Sequence, residues 1–215
     1  MVYLSIGKLD YTECLRVLQS VEAAEIRFDL NSYSPAEIKE LCAANGNLIA
    51  TCRPGALTDF QRLEILKTAI QSGAALADIE LEAEPDYRRE LAEIIRKHSC
   101  LIIISYHNYE LTPSVEELEQ IMSDCFAAGA DIAKIACYAH NVADTERVMA
   151  LYASGQPVTA FAMGEAGRNS RIIAAVWGAE ISYAALSEDS ATADGQFTYT
   201  ELTEIVRRMV EGETV

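Results

Sequence analysis

No basic stripe runs through this chain: 17 lysines and arginines face 33 aspartates and glutamates, a formal net charge of −16. That balance excludes nucleic acid as the partner, because nothing is in place to displace counterions from phosphates. No apolar run is long enough to cross a bilayer. The opening MVYLSIGKLD lacks the basic and long apolar regions of a signal peptide, so a soluble, cytoplasmic protein is expected. The six cysteines (Cys14, Cys42, Cys52, Cys100, Cys125 and Cys137) include no C-x-x-C pair, and their apolar neighbours read them as reduced core residues. No Pro/Gly/Ser-rich linker, low-complexity tract or short repeat divides the 215 residues, so one domain over 1–215 is expected.

What is present is a strict alternation. Eight short apolar runs recur (VYLSI, AEIRFDL, NLIATCR, ADIELE, LIIISYH, DIAKIA, PVTAFAM and AEISYAAL), each followed by a 3.6-periodic stretch. Ser34-Pro35 and Thr112-Pro113 offer helix starts, and Gly46, Gly73 and Gly129 follow helical stretches as terminating glycines do. Strand–helix alternation implies parallel pairing with right-handed crossovers, and eight units predict an α/β fold, the (β/α)8 barrel. A doubly wound open sheet is the rival, but no G-x-G-x-x-G follows the first strand.

Parity within the strands is more informative. Ile26, Phe28 and Leu30 alternate with Glu25, Arg27 and Asp29; Ile79 and Leu81 alternate with Asp78, Glu80 and Glu82; Thr51 and Arg53 alternate with Ala50 and Cys52. In a barrel the apolar set faces the helices, so the ionisable set faces the lumen near the strands' C-terminal ends, where barrel chemistry sits.

Lys134 lies inside DIAKIA. Taken alone it is a snorkelling or ion-paired lysine as readily as a nucleophile. The chemical reading is an amine activated by apolar walls and nearby cations, able to form an imine with a ketone. His107 ends LIIISYH one strand earlier, so the two side chains approach each other at the barrel mouth, where an imidazole can carry a proton beside a Schiff base. Glu80, one strand before that, is placed to orient the imidazole. His98 and His140 are weaker candidates, on a helix end and in a polar connection. Because the chain is acidic, an anionic ligand needs local cations; Arg27, Arg53 and Arg171 supply them, unless they only neutralise neighbouring carboxylates. SEDSATADGQ after the last strand reads as a mobile lid or as an ordinary solvated loop.

Together the pieces EIRFD, TCR, DIELE, ISYHNY, DIAKIA, MGEAGRNSR and the closing GQ, in order over nearly the whole chain, resemble the type I 3-dehydroquinate dehydratases, lyases of the shikimate pathway. The resemblance implies that Lys134 forms a Schiff base with the ring ketone of 3-dehydroquinate. His107 then takes the adjacent proton and protonates the departing hydroxyl, and Glu80 orients His107. It further implies that Ser5, Glu25, Arg27 and Arg53 bind around the substrate hydroxyls and Arg171 its carboxylate, with Thr192 and Gln196 in a closing lid. The product is 3-dehydroshikimate, no metal or dissociable cofactor is needed, and a homodimer is expected. The chain departs from the family in starting directly at its first strand, without the hairpin that covers the barrel bottom in many members. It also has Asn108-Tyr109 where Asp-Phe is common, and Thr192 where serine is frequent. The rival functions are another class I aldolase-type imine barrel, a metal-dependent sugar isomerase using Glu25, Glu80 and His107, and a non-catalytic barrel binding a small carboxylic acid.

Overall fold

The computed structural model describes residues 1–212. Its first half runs β1 (Val2–Ile6), α1 (Tyr11–Leu18), β2 (Ala24–Arg27), α2 (Pro35–Ala44), β3 (Leu48–Thr51), α3 (Asp59–Gln71), β4 (Leu76–Glu80) and α4 (Pro85–Ile95). The second half continues with β5 (Leu101–Asn108), α5 (Val115–Ala127), β6 (Ile132–Tyr138), α6 (Val142–Met149), β7 (Val158–Met163), α7 (Ser170–Val176), β8 (Ser182–Ala185) and α8 (Tyr199–Glu211). The ladders are all parallel, in the order β7-β6-β5-β4-β3-β2-β1-β8, which is the expected (β/α)8 barrel. Its seam lies between β7 and β8, where no ladder forms among the described residues. There Ile181 N–H donates to the Thr159 hydroxyl at 3.0 Å and Glu180 N–H to the Val158 carbonyl at 3.4 Å. No helix of the described residues is long and apolar enough to cross a membrane.

Local chemistry sets the helix starts. Ser34 caps α2 reciprocally with Glu37, with Pro35 in the first turn, as its sequence predicts. At α5 the cap falls two residues later than expected: Ser114 pairs with Glu117. Thr112 instead donates its hydroxyl to the Tyr138 carbonyl (2.8 Å), fastening the loop to the end of β6. β2 also ends earlier than its alternation suggests. Phe28–Leu30 form a turn of 3-10 helix, which leaves Leu30 exposed while Asp29 still returns toward the strand ends.

The barrel interior has two levels. At the N-terminal ends of the strands, Tyr3, Ala23, Ile49, Leu76, Ile103 and Ile132 form an apolar plug together with Ile181 and Tyr183. This plug fills the lower lumen, while Leu101 at the start of β5 stays exposed there. Above it, the same inward parity carries Ser5, Glu25, Thr51, Asp78, Glu80, Ser105 and Lys134, all buried. The opposite parity (Leu4, Ile26, Ala50, Ile79, Ile104, Ile135) packs against the helices. All six cysteines are buried and unpaired.

One glycine ties the loop after β7 to the wall. A Cβ on Gly167 would lie 2.6 Å from the carbonyl carbon and oxygen of Ala162, a backbone that cannot yield. Ser170 bridges the same two segments, accepting from Ala162 N–H and donating to the Gly167 carbonyl. Gly167→Ala is therefore expected to destabilise the fold by about 1–3 kcal/mol, read as a fall of several degrees in thermal midpoint. An unchanged midpoint would mean that the loop is free to move away.

Candidate active site

Lys134, in the middle of β6, is buried, with its ammonium 3.0 Å from Asp78 Oδ2 and 3.9 Å from Glu25 Oε1. The Tyr183 ring lies beneath it, 4.0 Å from Nζ to the centroid. The expectation of neighbouring cations is thus corrected at the first contacts, which are carboxylates and an aromatic face. Parity explains this: Asp78 on β4 and Glu25 on β2 point into the same lumen level as Lys134.

Asp78 is the hub. Its Oδ2 also accepts from Arg53 Nη2 (2.6 Å), and its Oδ1 accepts from the Ser105 hydroxyl (2.6 Å). Burial pushes its carboxyl up, but Arg53, Lys134 and His107, with the Ser105 hydroxyl, outweigh burial and hold it well below the usual carboxylate range. Arg53 continues outward, donating Nη1 to Glu80 Oε1 (2.8 Å) and to Ser105 Oγ (2.7 Å). Glu80 gives its other oxygen to Arg62 of α3, at 2.6 Å. Both oxygens of Glu80 are thereby engaged by arginines, and it makes no hydrogen bond to His107.

The imidazole of His107, near the end of β5, makes no hydrogen bond among the described residues; the ring stacks on Tyr109, with centroids 5.9 Å apart and planes 11° from parallel. Its pKa is pushed well below the ordinary value, first by burial and then by the charges of Arg53 and Lys134, with Arg27 adding and Asp78 opposing. At neutral pH the imidazole is therefore uncharged and able to accept a proton.

The remaining candidates close the site from the sides and top. Glu25 accepts from Ser5 Oγ (2.5 Å) and Thr51 Oγ1 (2.8 Å). Ser5 Oγ also lies 2.9 Å from Thr192 Oγ1. Gln196 Oε1 accepts from the Thr192 and Ala193 N–H groups, holding the lid loop together. Arg27 forks onto Asp29 and not onto Glu25. Arg171, on α7, is buried over the Phe161 ring at 4.2 Å and donates only Nη2, to the Asp194 carbonyl. Its Nε and Nη1 have no partner, and burial, opposed by Asp194, draws its pKa down to about 10. Two buried donors without acceptors on a guanidinium fit a carboxylate.

Glu25, Arg27, Arg53, His107, Lys134, Arg171, Thr192 and Gln196 all line one cavity. Ser5 reaches it through Glu25 and Thr192, and Glu80 lines the adjoining open pocket shared with Arg53 and His107. Asp78, Asp29, Ser105, Tyr183 and Arg62 are the participants that the sequence reading did not select. The first two were visible as inward carboxylates by parity, whereas Arg62 comes from a helix, where strand parity carries no information. A larger groove of about 780 Å³ between α6 and α7 is lined by Val142, Met149, Tyr152 and Trp177 with Glu146 as its one carboxylate, so cavity size alone does not locate the chemistry.

The model of the "Type I 3-dehydroquinase" family matches residues 8–213. The chain belongs to the type I 3-dehydroquinase family. Among curated relatives, the 3-dehydroquinate dehydratase of Desulfotalea psychrophila is 36% identical over 172 residues, covering 75% of this chain and 76% of that protein. That of Pyrococcus abyssi is 32% identical over 200 residues, covering 90% of each. The crystal structure of 3-dehydroquinate dehydratase from Aquifex aeolicus superposes with a TM-score of 0.81 at 25% identity, over 97% of this chain and 98% of that one. The Clostridium difficile type I enzyme, crystallised with covalent modified comenic acid, gives 0.84 at 21% identity, over 98% and 92%. The expectations of the family and of its barrel both stand.

A pH dependence follows for this 3-dehydroquinase-family barrel. An unfolded chain protonates its histidines near pH 6.5, whereas folded His107 does so only at lower pH. Below about 6.5 the unfolded state therefore binds more protons, and stability declines as pH falls. Asp78 acts in the same direction at lower pH, below about 4. The thermal midpoint is expected to drop between pH 7 and pH 5, with His107→Gln removing most of that drop. An equal slope in the variant would assign it to another group.

Proposed function

We propose that this chain dehydrates 3-dehydroquinate to 3-dehydroshikimate through an imine on Lys134, with His107 moving the proton. One observation carries the reading: a buried lysine in the lumen shares one cavity with an uncharged imidazole and with an arginine holding two unpartnered donors. A ring that is a ketone on one side and a carboxylic acid on the other matches that set. The covalent adduct in the Clostridium difficile relative accords with it.

The steps balance as follows. The Lys134 ammonium gives up a proton and its amine adds to the ring ketone; that proton goes to the former ketone oxygen, which leaves as water, and the cationic imine remains. The cationic imine acidifies the adjacent C–H, whose proton passes to neutral His107. The carbon–oxygen bond then breaks, and His107 returns the proton to the departing hydroxyl as water. A second water hydrolyses the imine, freeing the unsaturated ketone and Lys134.

Arg171 anchors the carboxylate, while Glu25, Ser5, Arg27 and Arg53 receive the ring hydroxyls. Thr192 and Gln196 roof the site. The cavity leaves about 60 Å³ for water centres, room for a few waters only. The lid therefore has to lift for a substituted six-membered ring to enter. Glu80 reaches the imidazole through Arg53, and Tyr109 holds the ring by stacking.

The aldolase-type rival shares Lys134 but has no use for a carboxylate-ready arginine. The isomerase rival needs Glu25 and Glu80 as metal ligands, yet Glu25 accepts from two hydroxyls and Glu80 from two arginines.

Borohydride reduction in the presence of 3-dehydroquinate is expected to leave a ligand-sized mass addition on Lys134, found by peptide mapping. Lys134→Ala should lose both adduct and turnover while staying folded, since Asp78 keeps Arg53 and Ser105 as partners. His107→Ala should still form the adduct while turnover falls by about 10² or more. Turnover that survives Lys134→Ala, or that a chelator abolishes, would sink the imine mechanism.

A further inference from the structure

Arg62 belongs to α3, outside the strand wall, yet its side chain is almost fully buried at 2% exposure. Every donor edge of its guanidinium is committed. Nε donates to the Cys52 carbonyl (2.9 Å), Nη1 to Asp59 (3.0 Å) and Nη2 to Glu80 Oε2 (2.6 Å), and the plane sits 4.9 Å over the Tyr87 ring. Two of these contacts converge on one neighbour. Cys52 supplies the peptide that precedes Arg53, and Glu80 is the carboxylate that Arg53 grips with Nη1.

We infer that Arg62 is a positioning residue for the dehydration, fixing the place of Arg53 in the cavity and keeping Glu80 from neutralising it. This rests on the reading of Lys134 and His107 given above. Packing against Tyr87 needs only an apolar side chain, and burying a guanidinium carries a desolvation cost that such a side chain avoids. What the charge adds is division of Glu80 between two cations, one oxygen each. Arg53 then keeps enough positive field to act at its other contacts. A lysine in this place retains the charge but not the planar fork that holds carbonyl and carboxylate together.

The consequence is felt at His107. The charged groups that face it are Arg53 from the end of β3, Lys134 from β6, Arg27 from β2 and Asp78 from β4. Removing the Arg62 cation turns the whole charge of Glu80 onto Arg53, weakens its field at the imidazole and makes the imidazole easier to protonate. Removing the Glu80 anion does the reverse.

The test is the pH profile of kcat with 3-dehydroquinate for the wild type, Arg62→Met, Glu80→Gln, the double variant and Arg62→Lys. Borohydride trapping on Lys134 serves as the control. In Arg62→Met the acid limb should move up by on the order of half a pH unit, so that kcat at a fixed pH on that limb falls by up to about threefold. Glu80→Gln should move the limb down, the double variant should return it toward the wild type, and Arg62→Lys should leave it in place. If Arg62→Met does not fold, the double variant, which unpairs only the exposed Asp59, carries the comparison: its limb should lie above that of Glu80→Gln. Coincident limbs in all folded variants, with the wild-type adduct present, would overturn the role of Arg62 alone. No adduct on wild-type Lys134 would overturn the imine reading and this inference with it.

Discussion

One buried ion pair organises the lumen. Lys134 and Asp78 meet 3.0 Å apart where side chains from neighbouring strands exclude water. Each charge taken into such a place costs several kcal/mol, repaid only when geometry and further hydrogen bonds are complete. The surroundings read as the working out of that condition. Asp78 takes Arg53 and Ser105 on its remaining lone pairs, Arg53 takes Glu80, and Glu80 takes Arg62. Sign alternates from the middle of the barrel to its outer helix layer, so that each charge along this series has an opposite neighbour.

The proposed chemistry has to free the Lys134 nitrogen from this pair, and the geometry allows it. Asp78 Oδ2 is divided between Lys134 and Arg53, with the arginine nitrogen closer, 2.6 Å against 3.0 Å. A carboxylate shared in this way holds neither cation as firmly as it would hold one. His107 is uncharged because burial and the same arginine keep protons off it, and so it can take one. The acidic surface, net −16, opposes an incoming carboxylate at long range. Within the cavity that opposition is met by Arg171, whose two free donors make an anion the partner that this buried guanidinium lacks.

Period-two alternation made the barrel, the inward carboxylates and the inward lysine legible, because a parallel strand covered by helices has one consistent outside. Resemblance of ordered motifs then named the family, and matches over residues 8–213 agree. The pairing of the charges was not legible. Arg27 could have met Glu25 or Asp29, and only the 3-10 turn after β2, which swings Asp29 back, decides for Asp29. Glu80 and His107 stand on adjacent strands, which suggested a bond. The arginine that takes Glu80's second oxygen comes from α3, and no strand pattern reveals it. The helix start at Thr112 failed for a similar reason: a cap is a competition between nearby hydroxyls, and Thr112 had a carbonyl on β6 to satisfy.

The wall and the roof of the cavity are held by interactions of different strength, and this decides which one moves. Detaching a partner from the buried ion pairs of the wall costs about 3–5 kcal/mol. The lid is held by Thr192 against Ser5 and by Gln196 within its own loop, neutral hydrogen bonds of about 1 kcal/mol each, and by one bond from Arg171 to the Asp194 carbonyl. Because Ser5 donates its own proton to Glu25, its oxygen is left to accept from Thr192. In the proposed reaction, a substrate hydroxyl arriving at Glu25 competes for the same Ser5 contact. Admission of a ligand in that proposed reaction therefore works on the weak bonds above and leaves the alternating charges below in register, with Lys134 and His107 held in fixed positions.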